Sequence, residues 1–475
     1  MECGKRGFDT TRFEPGHGDP GASPATLQRM RIAVIGCGYL GAVHAACMAE
    51  IGHDVVGLDV DEDRVSQLAQ GKAPFHEPGF PEILARTVAS GRVDFTTDPR
   101  RLSNADLVFI GVGTPQLSGR LGADLSQIDA AIDTIIEHLA PGPGTPALVV
   151  GKSTVPVGTA QRLAERLEAS GKNVLLAWNP EFLREGHAVA DTLHPDRIVY
   201  GLPEDRAAGE HAKALLDACY APMLAEDIPL VVANLPTAEL VKVAANAFLA
   251  TKISFINAMA ELCDATGGDV TRLAEAIGHD DRIGGRFLQA GIGFGGGCLP
   301  KDLRAFMARA GELGIDQALT FLREVDAINL RRRDHAVTLT EKAVAGRLAG
   351  RKVAVLGITF KPDTDDLRDS PALDITSRLW ARGADVRVVD PAAGTELRRR
   401  QPEMRVCDTV EEALTGVDAV LLLTPWQEFL GLDPVKLRRI VASPAIIDGR
   451  NVLDPKVWQE SGWRYYGMGR GVSIW

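Results

Sequence analysis

The chain has one cysteine in a setting that burial alone would not require. Cys298 sits in FGGGCLPKD (Phe294–Asp302), after three glycines and just before Lys301 and Asp302. A free thiol titrates near ~8.5 and acts as a nucleophile only when ionised. A nearby lysine favours that ionisation, and the glycines would let a substrate approach the backbone. Cys37, Cys47, Cys219, Cys263 and Cys407 have no such neighbours and read as small buried apolar side chains. Two further patches carry titratable groups. NPEFLREG (Asn179–Gly186) follows the apolar run NVLLAW, so Glu181 and Glu185 fall near a strand end, where α/β proteins build sites. A solvated turn with two surface acids is the alternative. Lys242 and Asn246 lie four residues apart in a helical pattern and so share a face among apolar neighbours. A buried lysine needs a partner, which favours a functional role for that pair.

A second kind of chemistry is written in glycines. GCGYLG (Gly36–Gly41) follows the apolar run RIAVIG and opens a helical pattern. Such a turn lets a pyrophosphate come close to a helix N-terminus. Asp59 ends the next strand-like run, eighteen residues beyond Gly41, where a carboxylate accepts from an adenine ribose and repels a 2′-phosphate. That favours NAD over NADP.

These residues must be positioned by strands and helices, and the strand–helix unit occurs twice. RIAVIG and HDVVGLDV (His53–Val60) are echoed by KVAVLG (Lys352–Gly357) and ADVRVVDP (Ala384–Pro391). ADLVFIGVGTP (Ala105–Pro115) is echoed by VDAVLLLTPW (Val417–Trp426), and ALVVGKST (Ala147–Thr154) by AIIDGRN (Ala445–Asn451). The second copy lacks the glycine pattern and offers Phe360 and Lys361 at the equivalent turn. Apolar strands alternating with helices indicate parallel sheets covered on both faces. Between the copies, Thr237–Gly267 and Gln317–Val344 read as long helices. The expected fold is α/β: two doubly wound Rossmann-like domains joined by a long-helix central region. The expected boundaries are a disordered tail over 1–29, a first Rossmann domain over 30–230, a helical region over 231–345 and a second Rossmann-like domain over 346–475. Met30 opens the first strand-like run and is an alternative candidate start. Long helices with this much apolar surface suit burial against a second subunit, so a homodimer is expected.

Bulk properties narrow the function. With 475 residues there is room for about three domains. A net charge of −11 argues against a general nucleic-acid binder. The seven cysteines form no CxxC pair or Cys/His cluster, so neither zinc nor a disulfide framework is indicated, and a reducing cytoplasm fits. No apolar run is expected to approach the ~20 residues of a membrane span.

Five motifs, in order along the chain, resemble the UDP-glucose/GDP-mannose dehydrogenase family: KSTVPVGT (Lys152–Thr159), NPEFLREG, ELVKVAANAFLATKISFIN (Glu239–Asn257), FGGGCLPKD and GITFKPDTDDLRDSP (Gly357–Pro371). HPDRIVYG (His194–Gly201) resembles the branch acting on UDP-glucose. Gly297 stands where the N-acetyl-sugar branch usually carries histidine and most other members serine. The resemblance implies a metal-free, NAD-dependent, four-electron oxidation of a sugar alcohol, UDP-glucose to UDP-glucuronate, a precursor of acidic polysaccharides. In that scheme Cys298 forms a thiohemiacetal and then a thioester. Glu181 would position water, Lys242 and Asn246 would stabilise the oxyanion, and Asp302 would assist proton transfer, with Thr154 beside them. The resemblance places NAD against Gly36, Gly38, Tyr39, Leu40, Gly41, Asp59, Arg64, Thr114, Thr154, Glu185, Lys301 and Arg368. It places the sugar nucleotide against Glu181, Phe182, Leu183, Arg184, Lys242, Asn246, the run Phe287, Leu288, Gln289, Ala290 and Gly291, then Gly295, Phe360, Lys361 and Arg450, with Arg282 reaching in from a partner subunit. The rivals are GDP-mannose or another nucleotide sugar, a two-electron dehydrogenase with a structural Cys298, and a non-catalytic sensor of NAD or nucleotide sugars.

Overall fold

The structure, a computed structural model, describes residues 29–142 and 144–471. Of the expected N-terminal tail only Arg29 is among the described residues, where it pairs with Asp54.

Eight strands build the first sheet: β1 (Arg31–Ile35), β2 (Asp54–Leu58), β3 (Val93–Thr96), β4 (Leu107–Ile110), β5 (Ala147–Gly151), β6 (Val174–Trp178), β7 (Ile198–Leu202) and β8 (Leu230–Asn234). Their order is β3-β2-β1-β4-β5-β6-β7-β8, parallel throughout except at the β6–β7 junction. The inner strands are apolar on both faces, as helices on both sides require. Pairing of Ile35 with Leu58 brings the glycine turn after β1 beside Asp59 at the end of β2. Six strands build the second sheet: β9 (Lys352–Leu356), β10 (Asp385–Val389), β11 (Arg405–Val406), β12 (Ala419–Leu422), β13 (Ala445–Asp448) and β14 (Arg464–Gly467). Their order, β11-β10-β9-β12-β13-β14, repeats the pattern around β1.

Five helices position the site. α1 (Tyr39–Glu50) leaves the glycine turn. α2 (Leu235–Thr266) is started by Asn234, whose side chain accepts from Thr237 N (3.1 Å), and is stopped by Gly267 at φ +80°. α3 (Leu299–Glu312) begins immediately after Cys298. α4 (Phe321–Ala343) leads into the second sheet, and α5 (Pro371–Ala381) lies within it. α2 packs on both α3 and α4. The expectation that no segment resembles a membrane span needs correction, because α2 is long and apolar enough by length and composition. It is nevertheless a core helix: Glu239, Lys242 and Asn246 are buried within it and each meets a partner from another element.

Candidate active site

The candidate centre lies where the first sheet, α2 and α3 meet. Cys298 is the residue before α3, and its carbonyl accepts from Asp302 N (2.9 Å). Asp302 therefore lies one turn along, where it is almost wholly buried. It accepts from Asn246 Nδ2 (2.7 Å) and from Lys301 Nζ (2.5 Å). Lys242, one turn before Asn246 on α2, forms an ion pair with Glu181 (2.9 Å), each side chain only 6% exposed. Glu181 also accepts from Leu183 N (2.6 Å), which turns the loop after β6 inward. The expected thiol, lysine, asparagine and two carboxylates are thus brought together from three separate stretches of chain.

The electrostatics differ from the simple expectation of a lysine-activated thiolate. Burial, then Asp302 and Glu181, push the Cys298 thiol up to about 12, against the pull of Lys242 and Lys301. The thiol is held protonated. Burial works against the charge on Lys242, yet Glu181, with Cys298 and Asp302, raises it above the ordinary lysine value. The centre therefore offers a neutral thiol beside a firm cation.

The glycines before Cys298 also have a different cause from substrate approach. A side chain at Gly295 would stand 2.3 Å from the Asp369 carbonyl, and one at Gly296 would stand 2.8 Å from the Phe360 ring. At Gly297 it would meet the Arg368 guanidinium at 2.3 Å. The loop between β9 and α5 presses on this backbone: the Asp369 carbonyl and the Phe360 ring leave no room for a Cβ at Gly295 or Gly296, whereas at Gly297 the obstacle is the movable end of the Arg368 side chain. That loop is anchored by Asp369, which pairs with Arg304 (3.2 Å) and Arg333 (2.9 Å).

Beside the thiol runs a cleft of about 480 Å³, whose lining includes Gly38, Tyr39, Leu40 and Gly41 as well as Cys298, Lys301 and Arg368. It fits a dinucleotide. α1 starts with no side-chain cap, and a Cβ on Gly38 would meet nothing within 4 Å, so the helix N-terminus is open toward the cleft. Thr114 and Thr154 also line the cleft, with Thr114 Oγ1 donating to the Thr154 carbonyl (2.7 Å). Asp59 accepts from Cys37 N (2.7 Å) and from Arg64 (3.1 Å), so Arg64 covers the carboxylate that a ribose would seek. Glu185, Arg368 and Lys361 meet at the seam of the two halves. Arg368 pairs with Glu185 (2.9 Å), and Lys361 donates to the Glu185 carbonyl. Burial, then Asp366, raise the Glu185 carboxyl to about 7.

Against these geometries, sequence comparison is decisive. The NAD binding, central and UDP binding domains of the UDP-glucose/GDP-mannose dehydrogenase family match residues 30–224, 236–331 and 354–455. The chain belongs to the UDP-glucose/GDP-mannose dehydrogenase family. It is similar to the UDP-glucose 6-dehydrogenase TuaD of Bacillus subtilis, 40% identical with 93% of each chain covered. It is also similar to a UDP-glucose 6-dehydrogenase of Pseudomonas aeruginosa, 42% identical over 93% of this chain and 98% of the relative. The solved UDP-glucose dehydrogenase of Pyrobaculum islandicum superposes with a TM-score of 0.83 at 37% identity, covering 94% of this chain and 100% of that one. The chain is an NAD-dependent oxidoreductase of this family.

Other expected family positions lie around this centre with varied engagements. Phe182 carries Arg197 on its face (3.8 Å). Arg184 points to Asp191 (2.5 Å). In the run Phe287–Gly291, Phe287 has φ +64°, Leu288 and Ala290 are buried, and Gln289 is exposed. Arg450 donates to the carbonyls of Leu423 (2.8 Å), Gly293 (2.9 Å) and Phe360 (3.0 Å), so its guanidinium braces backbone. Arg282 is exposed and paired with Asp280 (2.6 Å), away from its own chain's centre. Sequence reasoning passed over Glu77. That buried carboxylate accepts from Gly186 N (2.7 Å), Ala188 N (2.8 Å) and the Tyr39 hydroxyl, tying the Glu185 loop to the start of α1. It also passed over His44 and Lys152, which line the cleft from within apolar strand and helix patterns.

Proposed function

We propose that the chain oxidises UDP-glucose at C6 to UDP-glucuronate, with Cys298 carrying the covalent intermediate. The observation that carries this reading is the convergence of the Lys242–Glu181 and Asn246–Asp302 pairs on one thiol lining a dinucleotide cleft. NAD, when bound, supplies the hydride acceptor. The thiol must give up its proton as sulfur bonds to the aldehyde carbon, and the carbonyl oxygen takes a proton up, so none is lost overall. Lys242, held cationic, stabilises negative charge on that oxygen. Asn246 and Lys301 fix Asp302 one turn from the thiol, where it can pass the proton. Glu181 orients the water that later cleaves the thioester. Gly38–Gly41 hold the NAD pyrophosphate, and Asp59 meets its ribose with Arg64 as neighbour. Phe360 and Lys361 meet the UDP moiety, which the match of residues 354–455 to a UDP binding domain supports.

A homodimer in the cytoplasm completes the reading. Phe248, Phe255 and Leu262 are 67%, 49% and 57% exposed along α2, a face suited to a second copy, whose Arg282 would reach across. The test is a panel of UDP- and GDP-sugars assayed for NADH release and product mass. UDP-glucose giving two NADH and UDP-glucuronate is expected; faster turnover of GDP-mannose, or a single NADH, overturns it.

A further inference from the structure

A second cavity backs onto the cofactor cleft. His44, Lys152 and Glu181 line both, while Cys298 lines only the cleft and Asp196 and Arg197 only the second cavity. The second cavity measures about 50 Å³. At roughly 10–15 Å³ for each water, a few waters fit. Its lining includes the buried Glu181 and Thr192 and the exposed Asp196.

Its inner wall is polar and under-used. His44 is 2% exposed, and among the described residues neither of its ring nitrogens has a hydrogen-bond partner. Buried polar atoms without protein partners are normally met by water. The ring is held edge-on against Phe109 (4.5 Å between centroids), so its orientation is set by packing. Lys152 donates to Asn179 Oδ1 (3.0 Å) and Tyr220 Oη (3.4 Å). Its other charged or titratable neighbours are Glu181, Lys242, Cys219 and His44. Burial brings Lys152 down to about 8, against the attraction of Glu181, so its amine can give and take a proton near neutrality.

The proposed reaction needs such a route. Each sugar alcohol and two NAD consume one water and yield a carboxylate, two NADH and three protons. Glu181 lines both cavities, so water that reaches it from the second does not cross the cleft that holds Cys298. We infer that the second cavity delivers water to, and carries protons from, the acyl stage at Cys298, with Glu181 at its inner end and His44 and Lys152 passing the proton outward. The inference rests on the reading of Cys298 above. In the step it serves, the water oxygen bonds to the acyl carbon and the carbon–sulfur bond breaks. Sulfur keeps one proton, the carboxylate leaves, and the second proton passes by Glu181 into the cavity. No electrons are transferred.

The test mixes enzyme rapidly with NAD and UDP-glucose, counts NADH, and follows the acyl-enzyme by intact mass. His44→Phe keeps the ring and removes both nitrogens, whereas His44→Gln keeps a hydrogen-bonding group. Thr192→Leu narrows the second cavity without touching the cleft. Thr192→Val controls for the hydroxyl that donates to the Ala188 carbonyl (2.7 Å). His44→Phe and Thr192→Leu should accumulate acyl-enzyme that decays ten- to about a hundredfold more slowly. The NAD affinity of Thr192→Leu, which lies outside the cleft, should stay within about twofold of the parent. Thr192→Val should decay at close to the parent rate, and His44→Gln, which can hold a water but cannot relay a proton, should decay as slowly as His44→Phe. Parent-rate decay in folded His44→Phe and Thr192→Leu overturns the inference and leaves the thioester reading intact. A parent enzyme that releases one NADH and never gains acyl mass overturns both.

Discussion

The two sheets begin with the same strand–turn unit and use it differently. Gly36 N donates to the Leu58 carbonyl (2.8 Å), and Gly357 N donates likewise to that of Val389 (2.9 Å). The aspartate ending the next strand then reaches back in each. Asp59 accepts from Cys37 N (2.7 Å), and Asp390 from Ile358 N (2.8 Å). From here they part. In the first unit α1 starts at Tyr39 with an uncapped N-terminus facing the cleft. In the second, α5 starts only at Pro371, and the Ser370 hydroxyl accepts from Leu373 N (3.2 Å). The other oxygen of each aspartate accepts from the N–H two residues on, Asp61 (3.0 Å) and Ala392 (3.0 Å), but Asp59 adds Arg64 (3.1 Å) where Asp390 adds Ala393 N (2.8 Å). The intervening loop crosses to the first half and lays Phe360, Arg368 and Asp369 against the glycines before Cys298. One turn offers a helix end to a ligand, and the other exports side chains to its neighbour's site. The same backbone unit therefore does not predict the same ligand.

The largest effect should come where the halves meet. Cys298→Ala should reduce UDP-glucuronate formation by at least about a thousandfold, because the second hydride must leave a thiohemiacetal. Product mass after long incubation checks this, and substantial turnover would falsify the covalent role.

A crossed pair of substitutions separates the two turns. Lys361→Ala should raise KM for UDP-glucose by about ten- to a hundredfold and leave NAD affinity nearly unchanged. Asp59→Ala should weaken NAD by about tenfold and spare the sugar nucleotide. If the Lys361→Ala defect appears only in NAD titrations, the division of labour between the halves is wrong.

Glycine substitutions sharpen the comparison further. Gly295→Ala forces a Cβ to 2.3 Å from the Asp369 carbonyl, which is backbone and cannot swing away. It should cost about 1–3 kcal/mol in urea unfolding and lower kcat. Gly38 has φ −66° and open space around it, so Gly38→Ala should leave stability unchanged while weakening NAD. Equal destabilisation by both would remove the distinction.

The last effect concerns pH at the seam. Glu185 is raised from an ordinary 4.5 to about 7, first by burial and then by Asp366. The folded chain keeps a proton there that the unfolded chain has lost. Its contribution to stability is therefore full below about pH 4.5 and fades as pH rises toward 7. Glu185→Gln should flatten that slope, by ~3 kcal/mol at most across the window. Unfolding midpoints of the two proteins measured across it give the comparison, and parallel curves would sink the assignment.

Much of this was readable from local pattern. Apolar runs of period suited to buried strands, the glycine turn with its aspartate, and the shared face of Lys242 and Asn246 all follow from spacing over a few residues. Pairing did not follow. Lys242 meets Glu181 and Asn246 meets Asp302 only because α2 passes between the first sheet and α3. The three glycines were legible as a close approach, but not as one made by Phe360, Arg368 and Asp369. Nor did sequence show that Arg450 braces carbonyls, or that the thiol would be held protonated. Periodicity and turn preference act along the chain over one or two helical turns, so a sequence carries them directly. Desolvation and charge pairing are sums over every segment packed around a group, and only the folded chain performs that sum.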